Sequence, residues 1–393
     1  MSERSRTTQR GLLFRWFLGI AVGLIILVLV FEIPGSNSKS PTFSGIAPIN
    51  DFTMYSTQAG WGVGANNIWR VTDGGRSWTN VTPPRTAFHI ISGTTLNTVW
   101  DFTSADRAWV IAASSAPNTF QISKTVNAGR SWRQFHIALP NASHTPLPPP
   151  FQVDFINPRQ GWLSLSSGAA GPKLLIDLYS TNNGGRTWQL VYDTETGGWV
   201  NFTTPNLGWL LPGQITMQLP RVTTNGGRSW QPIVLRSSGT SLAQHAQKVL
   251  ALAAPTFDLH ESHGLMPILF AAPGQSERVG VAVISANGRQ WGPVTMTINA
   301  SAVKPLLAQT ISTQLAWFVT SGRLWRSTDA GHSFVRRSSA GFLAHVTGME
   351  FVNRETGWLW TSSTSNNHST SRIWMTKSGG RHWSSWIPST STT

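Results

Sequence analysis

Two rows of charged residues recur at matched places along this chain, and each suggests a chemistry. The first is acidic. Asp51, Asp101, Asp154, Asp258 and Glu350 each precede an aromatic or apolar residue near the end of an extended run, and Asn201 and Gln309 hold the corresponding places elsewhere. Carboxylates converging from several segments can hold a cation or a cationic ligand. A pair of them about 5–10 Å apart can cut a glycosidic bond. The second row is basic. Arg76, Arg130, Arg186, Arg228, Arg289 and Arg381 take the same place in a repeated phrase, with His332 in the remaining copy. Arginine suits planar, bidentate contact with carboxylate or phosphate and also stacks on tryptophan. A ring of arginines predicts a docking surface for an acidic partner. The plainer roles are solvation of a channel end for the acids and stacking on nearby Trp for the arginines.

Other chemistries find little support. Cys is absent, which removes disulfides, thiolate metal sites and cysteine nucleophiles. His260-Glu261-Ser262-His263 spaces its histidines three apart, where a zinc-protease helix needs four. No glycine loop follows a strand and opens a helix to hold phosphate, and no nucleophile elbow marks a serine triad. The residues therefore point to no cofactor, and the acidic row is the one candidate for a metal. A net charge of +14 attracts acidic protein, anionic lipid or acidic polysaccharide and works against self-association, so a monomer is expected. Charge alone would favour nucleic acid, which is not expected as a partner.

The elements that must position these residues are set by a repeat. A short phrase recurs at residues 71–78, 125–132, 181–188, 223–230, 285–291, 327–334 and 376–383. Its spacing of about 50 residues is the signature of an array of one supersecondary unit. Within the phrase, Asp73, Asn127, Asn183, Asn225, Asn287, Asp329 or Ser378 is placed to accept backbone N–H groups of a turn. The glycine two residues later supplies positive φ in six copies, and a closing Trp or Phe packs under the hairpin. The fifth copy is one residue short. Upstream come a Gly-Trp or its equivalent and the extended run, so each unit holds four short strands. In the third unit they are expected near residues 151–156, 161–166, 174–180 and 187–192. Charged residues make up only 12% of the chain, and its 20 Trp against 3 Tyr suit packing repeated in every unit. The prediction is an all-β, seven-bladed β-propeller of four-stranded antiparallel blades.

These phrases resemble the BNR or Asp-box motif, Ser/Thr-x-Asp-x-Gly-x-x-Trp, in six near-complete copies. The larger unit, as in Gly60-Trp61-Gly62-Val63-Gly64 through Asp73-Gly74-Gly75-Arg76-Ser77-Trp78, is similar to photosystem II assembly and stability factors and to exported bacterial propellers like them. That resemblance covers about residues 50–388. It implies a non-enzymatic scaffold that binds assembling membrane proteins. Sialidases share the motif but need a Tyr nucleophile, an arginine triad and an early Arg-Ile-Pro. Only Tyr55, Tyr179 and Tyr192 exist and Arg-Ile-Pro is missing, so a sialidase is not expected. The alternative to a scaffold is a carbohydrate-active propeller, either glycoside hydrolase or lectin.

The N-terminal segment is a separate device. Arg4, Arg6, Arg10 and Arg15 precede an uncharged apolar run at residues 16–31, and no small-x-small cleavage site follows. This predicts a basic cytoplasmic tail (1–11), a transmembrane signal anchor (12–33) and a tether (34–49), with the propeller outside the cytoplasm. Blades are expected near 50–84, 94–140, 150–193, 198–236, 248–299, 306–339 and 344–388, and then a tail (389–393). Insertions at 140–150 and 237–255 interrupt the regularity, and 240–254 suits a short helix capped by Thr240 or Ser241. Closure is expected from face packing without a borrowed strand, unless residues 42–49 add one.

Overall fold

The computed structural model describes residues 49, 51–64, 66–84, 98–114, 119–139, 150–170, 173–194, 198–212, 220–235, 248–251, 254–257, 263–271, 276–285, 290–291, 298–299, 305–365 and 368–391. The expected anchor, the tether except Ile49, Asn287, Arg289 and Asp258 lie outside them. Among the described residues no helix is long and apolar enough to cross a membrane.

Seven sheets follow one another along the chain; five are four antiparallel strands in sequence order, and those of blades one and five carry extra strands. Blade three shows the plan: Pro150–Phe155, Gly161–Ala170, Lys173–Thr181 and Gln189–Thr194. Gly161 lies opposite both Phe155 and Thr181, so the turn joining the first two strands and the phrase turn sit at one end of the blade. Consecutive blades touch through their first strands, which therefore line the axis. The chain is a seven-bladed β-propeller.

One aromatic contact, made at blade after blade, holds the ring together. The Trp that opens the second strand stacks on the Phe that closes the next blade's first strand. Trp61 meets Phe102 at 5.2 Å, Trp109 meets Phe155 at 4.3 Å, Trp162 meets Phe202 at 3.6 Å and Trp317 meets Phe351 at 3.8 Å between ring centroids. Such pairs add about 0.5–1.5 kcal/mol each beyond the area they bury. The place before that Trp holds a small residue, Ala in blades two and six, and where it is Gly the space is tight. A Cβ on Gly161 would come within 2.5 Å of the Phe155 ring, and one on Gly208 within 2.6 Å of Phe202.

The same geometry corrects the alignment of blade five. Trp209 stacks on Phe257 at 5.5 Å, and a Cβ on Gly264 would meet Phe257 at 2.8 Å. Phe257, and not Leu259, is thus the closing aromatic, and Thr256 takes the place assigned to Asp258. The expected helix at 240–254 is also corrected over its described part. Lys248–Ala251 is a strand paired with Ile268–Ala271, because that apolar stretch completes the inner edge of blade five.

Closure differs from expectation as well. Ser389–Ser391 is a strand lying parallel to Ser77–Thr79 on the outer edge of blade one. The supposed tail is therefore the clasp. Its path is the ordinary exit from a blade, since Val234–Leu235 leaves blade four and lies parallel to Gln290–Trp291 of blade five in the same way. Two indoles reinforce the junction. Trp358 donates to the Gly74 carbonyl at 2.8 Å and Trp386 to the Gly75 carbonyl at 2.7 Å.

Candidate functional site

The repeated turns hold the arginines through local bonds. Asp73 Oδ1 accepts from the backbone N–H of Arg76 at 2.9 Å and of Ser77 at 3.0 Å. Asn127, Asn183, Asn225 and Asp329 accept through Oδ1, and Ser378 through Oγ, from the residue four places on, at 2.9–3.0 Å. These bonds lower the Asp73 and Asp329 carboxyls against the upward push of partial burial. A second anchor escaped the sequence reading. The hydroxyl of Thr125, Thr181, Thr223, Ser327 or Thr376 accepts from the glycine N–H four residues later. The Ser or Thr heading the phrase was the available signal. Two successive residues then take positive φ, including Ala128 at 61° and Ala330 at 58°.

The acidic row is largely spent on the ring. Asp101 Oδ2 accepts from the Phe155 N–H at 2.5 Å, Asp154 Oδ2 from Phe202 N–H at 2.7 Å, and Gln309 Oε1 from Phe351 N–H at 2.7 Å. Each side chain satisfies a backbone donor in the next blade's first strand, which is why its place recurs. Among the described residues no group of three or more His, Asp or Glu is arranged to hold a metal ion. In blade one Met54, opposite Gly60, closes the first strand, so Asp51 falls outside the row, and Glu350 is used differently. It is buried, its Oε1 accepts from Gln309 Nε2 at 3.3 Å, and no bond is made by Oε2. Burial raises its pKa well above the ordinary range, the Asp51 charge raises it further, and the Gln309 bond opposes both.

The arginines keep company that the sequence did not announce. Arg76, Arg130, Arg186, Arg228 and Arg381 are all exposed at the phrase end of their blades. Beneath them runs a row of third-strand cations. Arg70, Lys124 and Arg326 lie directly opposite Trp61, Trp109 and Trp317 in the strand register, and each stands over that ring at 4.6–5.4 Å. Lys124 Nζ donates to the Pro158 carbonyl at 3.0 Å and Arg326 Nη1 to the Arg354 carbonyl at 3.1 Å, both in the next blade. Burial lowers all three pKa values; neighbouring positive charge adds to this at Lys124 and Arg326, while at Arg70 Asp106 opposes it more than Arg130 adds. A cation three residues before the Asx place was the overlooked signal.

The opposite end of the ring carries a half-buried aromatic pair. Phe151 and Trp199 open the first strands of blades three and four, half-buried, with ring centroids 4.8 Å apart. Gln152 fixes them by donating to the Val200 carbonyl at 2.6 Å and accepting from the Val200 N–H at 2.8 Å. Next to this pair the hairpin Gly161–Ala170 with Lys173–Thr181 rises past the first strand of its blade, and Gly357–Ser365 with His368–Thr376 does so in blade seven.

No protein-family model matches the chain, and no curated protein matches it in sequence. Solved structures do resemble it. The GH74 xyloglucanase from Xanthomonas campestris superposes with a TM-score of 0.51 at 13% identity, over 88% of this chain and 55% of that one. The Niastella koreensis GH74 enzyme gives 0.50 at 10% identity, over 88% and 67%. The β-propeller domain of the Trilobed protease from Pyrococcus furiosus, described as having an open velcro topology, gives 0.46 at 8% identity, over 87% and 98%. This chain thus spans about half the length of the first xyloglucanase, and at such identities the likeness is one of fold. It nevertheless runs against the expectation that the chain is no enzyme, because two structures that share its fold are GH74 enzymes.

Proposed function

We propose that the chain is a carbohydrate-active propeller that takes a polysaccharide across the end of the ring opposite the phrase turns. The observation that carries this reading is the Phe151–Trp199 pair, held rigid by Gln152 beside a raised hairpin. A half-buried aromatic pair fixed by a hydrogen-bonded neighbour suits the apolar face of a sugar ring. The fold likeness to two GH74 enzymes supports the same class. Glu350 is buried near the phrase end of its first strand, and Asp51, opposite Val63, lies at the far end of its own, so bond cleavage is not assigned to this pair.

The test pairs binding with turnover. The purified propeller is run through gels containing xyloglucan or other neutral glucans, and reducing ends are counted after incubation. Retardation that Trp199→Ala weakens at least tenfold is expected, and release of reducing ends would add hydrolysis to binding. Neither retardation nor release on any glucan would sink the reading.

A second reading draws on the basic end of the ring. A BNR-repeat protein similar to photosystem assembly factors, tethered by residues 12–33 with the propeller outside the cytoplasm, would present those arginines to an acidic protein or membrane-protein partner. Crosslinking in native membranes to one such partner, lost on reversing Arg76, Arg130 and Arg186 together, would favour it.

A further inference from the structure

The basic end of the ring is not uniform. Four arginines converge on the turn that opens the fourth strand of blade seven. Arg337 donates through Nε to the Gly379 carbonyl at 2.7 Å and through Nη2 to the Ser378 carbonyl at 3.2 Å. Arg326 reaches the same turn from beneath, so close that a Cβ on Gly379 would lie 2.7 Å from its Nη1. Arg381 stands exposed in the turn itself, and Arg354, 65% exposed, lies alongside. Glu355 answers this charge, 3.8 Å from Arg326 and 3.7 Å from Arg354. Arg337, Arg354 and Arg381 each disfavour the charge on Arg326 beyond the cost of its burial, and Glu355 only partly offsets them. A smaller version recurs at the junction of blades two and three, where Arg186, Arg107 and Arg133 crowd Lys124.

We infer that the junction of blades six and seven is a binding subsite for an acidic polysaccharide, with Arg354 and Arg381 gripping its carboxylate or sulfate groups above Arg326 and Arg337. The inference rests on the carbohydrate reading for the class of polymer, but on different residues at the other end of the ring. Guanidinium forks match planar or tetrahedral oxyanions bidentately, and one excess anion relieves the mutual repulsion of the four. Two features favour a polysaccharide over an acidic protein. The charge clusters recur at separate blade junctions, as a linear polymer with regularly spaced charges requires. The large apolar side chains exposed among the described residues are only Val126, Val335 and Ile387, whereas a protein interface is anchored by aromatic or aliphatic groups in a dry centre.

The experiment uses the purified chain with three immobilised probes: polygalacturonate, a sulfated galactan and poly-glutamate, with xyloglucan as the neutral control. Expected is binding to at least one acidic glycan that weakens steeply with added salt and drops at least tenfold in the double variant Arg354→Glu with Arg381→Glu. Both side chains are exposed, so an unchanged melting temperature shows that the variant is folded. Arg354→Lys with Arg381→Lys should recover the charge but only part of the affinity. Binding to both acidic glycans within twofold of the parent in the charge-reversed variant would overturn the inference. So would no binding to either, or tighter binding to poly-glutamate than to both. Failure of the neutral-glucan reading is separately visible, because Trp199→Ala acts on xyloglucan while leaving the acidic probes untouched.

Discussion

Asp73 and Asp329 show what a single side chain contributes to this molecule. Each accepts bonds from the turn it heads, so Asp73→Ala should cost about 1–3 kcal/mol, read as a lowered melting temperature. The pH dependence has a definite sign. Their carboxyls are lowered on folding, so the stability they contribute is present above the unfolded pKa of about 3.9 and is lost as pH falls through the lowered value. Thermal melts at falling pH should therefore show a shallower acid decline in Asp73→Asn with Asp329→Asn. Glu350 behaves in the opposite sense. Its carboxyl is raised, so its contribution is full below the unfolded pKa of about 4.3 and is lost as pH rises through the folded value. Glu350→Gln should be as stable as the parent or more so at neutral pH, and the gap should close on acidification. A variant less stable than the parent at neutral pH and not at acid pH would contradict this. The turn acceptors were legible because an Asx side chain satisfies donors within its own phrase. The use of the acidic row was not, because the donors belong to another blade.

At the scale of the element, the second strand is where sterics decide. Gly161→Ala places a methyl against the Phe155 ring, and crowding of this kind costs about 1–3 kcal/mol. Ala108 and Ala316 occupy the same place in blades two and six, so there the smaller change to Gly should cost less than 1 kcal/mol. A denaturant series on the three variants checks the ordering. The four-strand pattern was readable from alternation and turn residues. In blade three the expected strands near 161–166 and 174–180 appear as Gly161–Ala170 and Lys173–Thr181. The extra length was hidden because Ser, Gly and Ala carry no alternating signal. Blade five misled the alignment for a related reason: its first strand is broken into Lys248–Ala251 and Thr256–Phe257, and Leu259 resembles a closing residue until Phe257 is seen under Trp209.

For the whole molecule, stability depends on every blade having two neighbours. Removing Ser389–Ser391 strips the outer edge of blade one and should cost about 1–3 kcal/mol. Hydrogen exchange should quicken first in Ser77–Asn80, while blades three and four keep their protection. Trp317→Ala removes a fully buried ring from the junction of blades six and seven and should cost about 3–5 kcal/mol. Because Arg326 stands over that ring, the same change should also weaken binding at the proposed acidic subsite.

The count of blades, the place of each hairpin and the exposure of the arginines were determined by the sequence itself. All three follow from bonds closed inside eight residues, such as Asn183 to Thr187 and Thr181 to Gly185. What the acids, cations and C-terminus do was decided only by tertiary structure. Asp154 meets Phe202 across 48 residues, and Trp358 meets Gly74 across 284. A one-dimensional pattern records that such places recur. It does not record which partner the curvature of the ring delivers to them.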